Sequence, residues 1–184
     1  MKQQENSKMP ERIHRETVYE SDYVCLYVDQ VRLPSGTIVE KYHQIHYPHD
    51  AVCIVVFNDK DEILLIQNKR YTLGKLEWEI PSGKVEPKES AEDAARRECL
   101  EETGCCVKDI HFLCTQNPAN GMSDCVVHCF AAKVDEEQMQ FDTDEVAAKK
   151  WFSQEEVLQM LKHNETKDGV AILAILYALQ FYER

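Results

Sequence analysis

Apolar positions along this chain follow a period of two in some stretches and a helical period in others, and the switches between them mark the elements. Residues 1–16 are polar, and a loose terminus is expected there. From Tyr19 short β-type runs begin. The runs at 23–28 and 37–45 flank the turn signal Leu33-Pro-Ser-Gly36, which predicts a β-hairpin or small meander. Tyr47-Pro-His-Asp50 breaks this pattern. Residues 51–57 are continuously apolar, as expected of a strand covered on both faces, and a turn at 58–62 leads to a second strand at 63–67. Residues 68–90 contain Gly74, Pro81, Gly83 and Pro87 and are expected to be loop. Ser90 then N-caps a predicted helix over 91–102 that Thr103-Gly104 ends. Strands are expected near 106–116 and 125–134, with a loop at 117–124 between them. An acidic connection covers 135–145, and a short strand covers 147–152. The capping box Ser153-Gln-Glu-Glu156 opens a helix to about Leu161, and a last apolar helix runs over 168–182. This order of strands with a few inserted helices predicts an α/β (α+β) layered fold around a mixed sheet. The longest apolar stretch, 170–179, has about half the length a bilayer crossing needs, so it reads as a buried helix.

The helix over 91–102 carries the chemistry. Ala91, Ala94 and Ala95 fall on one narrow stripe, which suits close packing on a sheet. Glu98, Glu101 and Glu102 are spaced i, i+3, i+4 and continue that stripe, so all three are expected on the packed side. Crowded carboxylates that lose hydration repel one another. Divalent cations offset this well, because Mg²⁺ takes oxygen ligands and is often held by a few carboxylates together with substrate phosphates. Arg97 stands four residues before Glu101 and can pair with or orient a carboxylate. Judged by charge pattern alone, a solvated acidic face is the more frequent outcome for such a row. The alanine alignment and the surrounding residues favour the metal.

Composition narrows the classes. The chain is 43% hydrophobic and 29% charged, ordinary values for a soluble protein. Its net charge of −12 argues against nucleic-acid binding through phosphate neutralisation, but it admits an anionic small substrate if metal ions stand between carboxylates and phosphates. No apolar run occupies the first twenty residues, so neither a secretory signal nor a transit peptide is expected, and the cytoplasm is the expected location. Eight cysteines occur without a C-x-x-C pair, and most stand where a small apolar residue fits. Reduced, buried thiols are the expectation.

Gly83, Glu89, Arg97, Glu98, Glu101, Glu102 and Gly104 resemble the Nudix box: Gly, five residues, Glu, seven residues, Arg-Glu, an aliphatic, any residue, Glu-Glu, any residue, Gly, an aliphatic. All seven fixed identities are present at the required spacing. With each residue type near a twentieth of average usage, a chance match at a given position is on the order of one in a billion. Cys99 and Cys105 replace the usual aliphatics and serve as small hydrophobes. The resemblance implies a Nudix-type mixed sheet between helices and hydrolysis of a nucleoside diphosphate linked to another group. It implies Mg²⁺, with Mn²⁺ as the alternative, held by Glu98 and Glu102 with Glu101 close by. Glu89 is implied as support for the site and Arg97 as the residue that orients the glutamates.

The flanks say more about substrate. Gln67-Asn-Lys-Arg-Tyr71 followed by Leu76-Glu-Trp-Glu-Ile-Pro-Ser-Gly83 resembles the ADP-ribose pyrophosphatase branch of the family, as do Pro118 and Gly121-Met-Ser-Asp124 after the box. In that branch the position of Ser82, usually alanine, gives a backbone carbonyl to a metal, and a glutamate on a loop after the box helps activate water. Glu145, in the acidic segment Asp142-Thr-Asp-Glu145, stands where that glutamate is expected. Arg70 is a candidate phosphate clamp, since its planar fork suits phosphate oxygens. Trp78 is a candidate to shape the substrate pocket, with a core role as the alternative. Glu79 is a candidate to orient Arg70 or a metal-bound water, and Asp124 a candidate substrate contact or turn residue. The branch also implies that residues 1–46 form a tail and small antiparallel sheet used in homodimerisation, with the catalytic domain over 47–184. The implied reaction is ADP-ribose plus water giving AMP and ribose 5-phosphate. Alternatives are another nucleotide sugar, a dinucleoside polyphosphate or an oxidised nucleotide as substrate. A Nudix-type ligand-binding domain without catalysis, and a structural protein with an acidic helix, are the readings of a different class.

Overall fold

A computed structural model describes residues 8–138 and 140–183. The chain divides into two compact units. One holds the residues up to His49 together with Ala119–Cys125, and the other holds Asp50–Pro118 and Val126 onwards.

The first unit is a three-stranded antiparallel sheet of β1 (Glu11–Glu20), β2 (Cys25–Arg32) and β3 (Ile38–His46), in that order. β1 starts inside the stretch expected to be loose, because its backbone pairs with β2 from Glu11↔Arg32 onward. Its charged alternation hides a strand that is exposed at almost every position. The meander is pinned at its centre by Asp29, which is 4% exposed. Both oxygens of Asp29 accept from Arg15, at 2.8 and 2.7 Å, and Arg15 also reaches Gln44 and lies 4.0 Å from the centre of the Tyr27 ring. The loop at 119–125 joins this unit through Ile45, whose N–H donates to Met122.

The second unit has a seven-stranded mixed sheet. Its main path runs β10 (Val146–Phe152), β5 (Ile63–Arg70), β4 (Ala51–Phe57), β9 (Val127–Glu137), β8 (Cys105–Gln116). β4 and β9 are parallel, and the other pairs are antiparallel. β4 and β5 meet only at Phe57↔Ile63 and then part. Two short strands fill the gap: β6 (Lys75–Glu79) on β5 and β7 (Ser82–Lys84) on β4. Their glycines and prolines predicted loop for this stretch. Pairing overrides that expectation, because the split edges of β4 and β5 leave backbone groups that must be satisfied. Gly74 precedes β6, Pro81 falls between β6 and β7, and Gly83 lies inside β7, paired with Val52.

Three helices complete the unit. α1 (Ala91–Thr103) starts at Ser90, whose hydroxyl accepts from the Asp93 N–H, and stops at Gly104 with φ +69°. Ala94, Ala95 and Cys99 are fully buried against Val52, Ile54, Val56, Leu64, Phe130 and Ala132, so the alanine stripe faces the sheet. α2 (Gln154–Lys162) opens on the capping box at Ser153 and Glu156. α3 (Gly169–Phe181), capped by Asp168, buries Ala171, Ala174, Ile175 and Ala178 and packs on β4, β8 and β9. The residues of β4 that alternate with the α1 set include Phe57, which stacks on Tyr182 just past α3. The sheet therefore lies between α1 and α3. None of the eight cysteines, all among the described residues, forms a disulfide. No helix among the described residues is long and apolar enough to cross a membrane.

Candidate active site

The split between β4 and β5 brings β7 under the C-terminal half of α1. Ser82 pairs with Cys53 and Gly83 with Val52 on the β4 edge. From there the Ser82 N–H donates to Glu102 at 2.8 Å. Glu102 is 6% exposed. Glu98, one turn earlier, lies against Gly83 so closely that any Cβ there would collide with its carboxyl group. Two carboxylates are thus seated on a strip of backbone that only a glycine leaves open.

Burial drives the electrostatics of this pair. Loss of hydration raises the Glu102 carboxyl to about 8, against the Ser82 N–H, which favours the charged form. Glu98 and Glu145 push the same group up, and Arg70 pulls it down. Glu98 is likewise raised by burial, partly countered by Arg97. Both groups therefore lack enough nearby positive charge to ionise comfortably.

Arg97 is the hub of the cluster. It bonds Glu89 through Nε and Nη2 at 2.9 Å each, Glu98 at 2.8 Å, Glu101 at 3.1 Å and the Lys84 carbonyl at 2.9 Å. Glu89 is held below the ordinary carboxylate range first by Arg97 and then by the Glu86 N–H. One guanidinium thus ties the loop before α1 to the face of the helix.

Glu101 corrects one expectation. Its side chain is 55% exposed, and it meets Arg97 from the solvent side. The i, i+3, i+4 spacing spreads over more than 60° of arc, and only Glu98 and Glu102 lie close enough to the alanine stripe to be covered.

Arg70, at the end of β5, is bonded to Glu79 on β6 through Nε (2.9 and 3.1 Å) and Nη2. Glu79 is almost wholly buried. Glu145 is exposed, but its backbone is anchored, since its carbonyl accepts from the Lys69 N–H. The Asp142 N–H donates to the Glu101 carbonyl, so this acidic loop is tied to the end of α1.

Trp78 is placed elsewhere. It pairs with Gln67 on β5, in the register that alternates with Leu64 of the α1 core. Its ring meets Phe152 edge-on at 5.1 Å on the sheet face away from α1. The period of two along β6 sends Glu79 and Trp78 to opposite faces, so Trp78 stands apart from the Arg70–Glu79 pair and packs as in the core role that was its alternative. Asp124 belongs to the first unit, where its carboxylate engages the His46 ring at 2.6 Å and the Tyr47 N–H at 3.0 Å. The sequence reading passed over Asn68, a buried amide at a core register of β5 that donates to Glu79 at 3.2 Å. A polar residue in phase with Leu64 and Ile66 was the signal for it.

Among the described residues, no three acidic, histidine or cysteine side chains converge in a ready-made metal cage. The donor set still fits a hard divalent cation. Glu98 and Glu102 offer carboxylate oxygens largely stripped of water, and Gly83 keeps the space above the backbone clear.

Comparison with known proteins agrees with this geometry. The NUDIX domain family model matches residues 47–173. An ADP-ribose pyrophosphatase of Bacillus subtilis is 31% identical over 168 residues, covering 90% of each chain. A methanol dehydrogenase activator of Bacillus methanolicus is 30% identical over 174 residues, covering 93% of this chain and 92% of the other. The crystal structure of an ADP compounds hydrolase superposes with a TM-score of 0.84 at 21% identity, over 95% of this chain and 94% of that one, which shows a shared fold. With the box residues gathered around one backbone strip and the family model spanning most of its length, this chain belongs to the Nudix family and is a Nudix pyrophosphohydrolase.

Proposed function

We propose that the protein hydrolyses the pyrophosphate bond of ADP-ribose, taking up one water and releasing AMP and ribose 5-phosphate. The observation that carries this reading is the buried Glu98–Glu102 pair over the Ser82–Gly83 backbone. Mg²⁺ is the proposed metal, with Mn²⁺ as a substitute. Glu98, Glu102 and the main-chain carbonyl of Ser82 are its proposed ligands, and the exposed Glu101 stands at the rim. The metal, when bound, polarises phosphoryl oxygens and lowers the pKa of water. Arg97 and Glu89 hold the Glu98 carboxylate in place. Glu145, close enough to Glu102 to raise it, is the proposed acceptor of the proton from the attacking water. Arg70 is the proposed phosphate contact, with Glu79 behind it.

The long edge strand β1 supports a homodimer. It exposes Ile13, Val18 and Tyr19 alongside an unpaired backbone edge, the kind of surface a second copy covers. The relatives carry different activities in their names, an ADP-ribose pyrophosphatase and a methanol dehydrogenase activator among them. The choice of ADP-ribose rests on the Arg70-to-Ser82 flank.

The test is incubation of purified protein with ADP-ribose and Mg²⁺, with products resolved by chromatography and Glu102→Gln run in parallel. AMP and ribose 5-phosphate from the parent alone is the expected result. No product from either protein rejects ADP-ribose and directs the assay to other nucleotide sugars and dinucleotides.

A further inference from the structure

Asn68 has no assigned role, and its position is costly. It is 2% exposed, in a strand whose neighbouring core residues Leu64, Leu65 and Ile66 are fully buried. Its Nδ2 donates to Glu79 Oε2 at 3.2 Å, and its Oδ1 is buried with no hydrogen-bond donor among the described residues. Only the amide nitrogen can donate to a carboxylate, so Glu79 fixes which way the amide points. A leucine would fill the same register without leaving an orphan acceptor. The amide is therefore there for what its Nδ2 does to Glu79.

Glu79 in turn has both oxygens committed. Oε1 and Oε2 take Nε of Arg70, and Oε2 also takes Nη2 and the Asn68 amide. Its side chain is 5% exposed, against 42% for Arg70. The chain of contacts thus runs from a buried amide through a buried carboxylate to a half-exposed guanidinium. Glu79 occupies the Nε–Nη2 edge of that guanidinium. Nη1 makes no hydrogen bond among the described residues. Arg70 is also near enough to Glu102 for each to act on the other's charge.

We propose that Asn68 and Glu79 are positioning residues that hold Arg70 in one pose, with its free Nη1 edge presented to a phosphate of a nucleoside diphosphate lying beside Glu102. The inference rests on the function proposed above. Glu79 supplies the fixed counter-charge. Asn68, a neutral donor, keeps Glu79 turned toward Arg70 without adding a competing cation. Both act through Arg70 and neither touches substrate.

The test is a double-mutant cycle in the Mg²⁺-loaded full chain. Variants are Asn68→Leu, Glu79→Gln and Arg70→Ala, alone and with Arg70→Ala as background. Two readouts are taken: KM and kcat for ADP-ribose, and affinity for inorganic pyrophosphate by calorimetry. Melting temperatures identify any variant that fails to fold, and Asn68→Ser replaces Asn68→Leu in that event. We expect each single change to raise KM, Asn68→Leu by about threefold and Glu79→Gln by about tenfold, with kcat within about twofold. In the Arg70→Ala background both effects vanish. Additive effects in that background, or an unchanged KM in folded variants, overturn the relay while leaving ADP-ribose hydrolysis intact. If ADP-ribose is not a substrate, pyrophosphate affinity decides. A weakening by Arg70→Ala that masks the other two changes supports the relay, and affinity indifferent to Arg70→Ala overturns it.

Discussion

Glu102 accepts a hydrogen bond from the main-chain N–H of Ser82 at 2.8 Å, a partner twenty positions earlier in the chain. That bond is what lets a carboxylate remain at 6% exposure on the sheet side of α1. It leaves the group still short of positive charge, since burial raises it to about 8 despite the bond.

Glu102→Gln is therefore expected to separate stability from function. Above about pH 8, where the parent carboxyl is charged, the amide removes a poorly compensated buried charge, so the metal-free protein should melt there at the same temperature or higher. Hydrolysis should fall by a factor of about 10²–10⁴ if Glu102 is the metal ligand proposed above. The parent should gain about 2.7 kcal/mol of stability at Mg²⁺ a hundredfold above its dissociation constant, and the variant should gain far less. Melting curves with and without Mg²⁺ read this directly. An equal metal-dependent shift in both proteins would remove Glu102 from the ligand set.

Gly83→Ala probes the seat of Glu98. Gly83 does not have a positive φ, so alanine strains nothing in the backbone. Its methyl group would instead occupy the position of the Glu98 carboxyl. Activity should drop at least about tenfold, as expected when a reacting group is misplaced by an ångström or so. Stability should fall by about 1–3 kcal/mol, the usual cost of overpacking. Steady-state kinetics and chemical denaturation check the two arms, and wild-type activity would show that Glu98 has no role at this position.

Arg97→Lys tests the hub. Lysine keeps the charge but has no fork to reach Glu89, Glu98, Glu101 and the Lys84 carbonyl together. Metal affinity or kcat should fall by about 10–100-fold, the usual range for residues that hold metal ligands. Titration of Mg²⁺ against activity measures it. A fully active Lys variant would mean that charge alone, without geometry, is what the site needs.

Asp29→Asn tests the first unit. Hydrogen bonds from Arg15 hold the Asp29 carboxyl below its usual range, with burial opposing. A carboxylate lowered on folding contributes stability that is fully present above its unfolded pKa and is lost as pH falls through the folded one. The unfolded reference is 3.8, so the loss is expected below about pH 4. The variant should cost about 2 kcal/mol at neutral pH, in the range for hydrogen bonds to charged groups, and should flatten the acid limb of the stability curve. Urea denaturation from pH 3 to pH 7 resolves both effects. Parallel curves for parent and variant would show that the pair contributes nothing.

Several features of this protein are local and legible in the sequence itself. The apolar run at 51–57 is a strand whose residues from Val52 to Phe57 are all buried, as a strand covered on both faces requires. Ser90 and Gly104 bound α1 because one accepts an orphan N–H and the other tolerates φ +69°. The spacing of Gly83, Glu89, Arg97, Glu98, Glu101, Glu102 and Gly104 named the family, since that pattern identifies a loop and helix whose geometry is set by the residues themselves.

Other features were decided by pairing partners far along the chain. β1 is a strand because β2 offers it a ladder, although its own residues are charged and exposed. β6 and β7 exist because β4 and β5 part after Phe57 and Ile63, which leaves two edges to be satisfied. That split puts Ser82 under Glu102, sends Trp78 to the face away from α1, and brings Asn68 and Arg70 to Glu79. Helical spacing placed Glu101 with its neighbours, but it sits at the edge of their arc, and in the fold its side chain is 55% exposed. A sequence specifies its own periodicity, caps and turn residues. Which face of a strand meets which helix depends on register with distant strands, and only the folded chain sets that register.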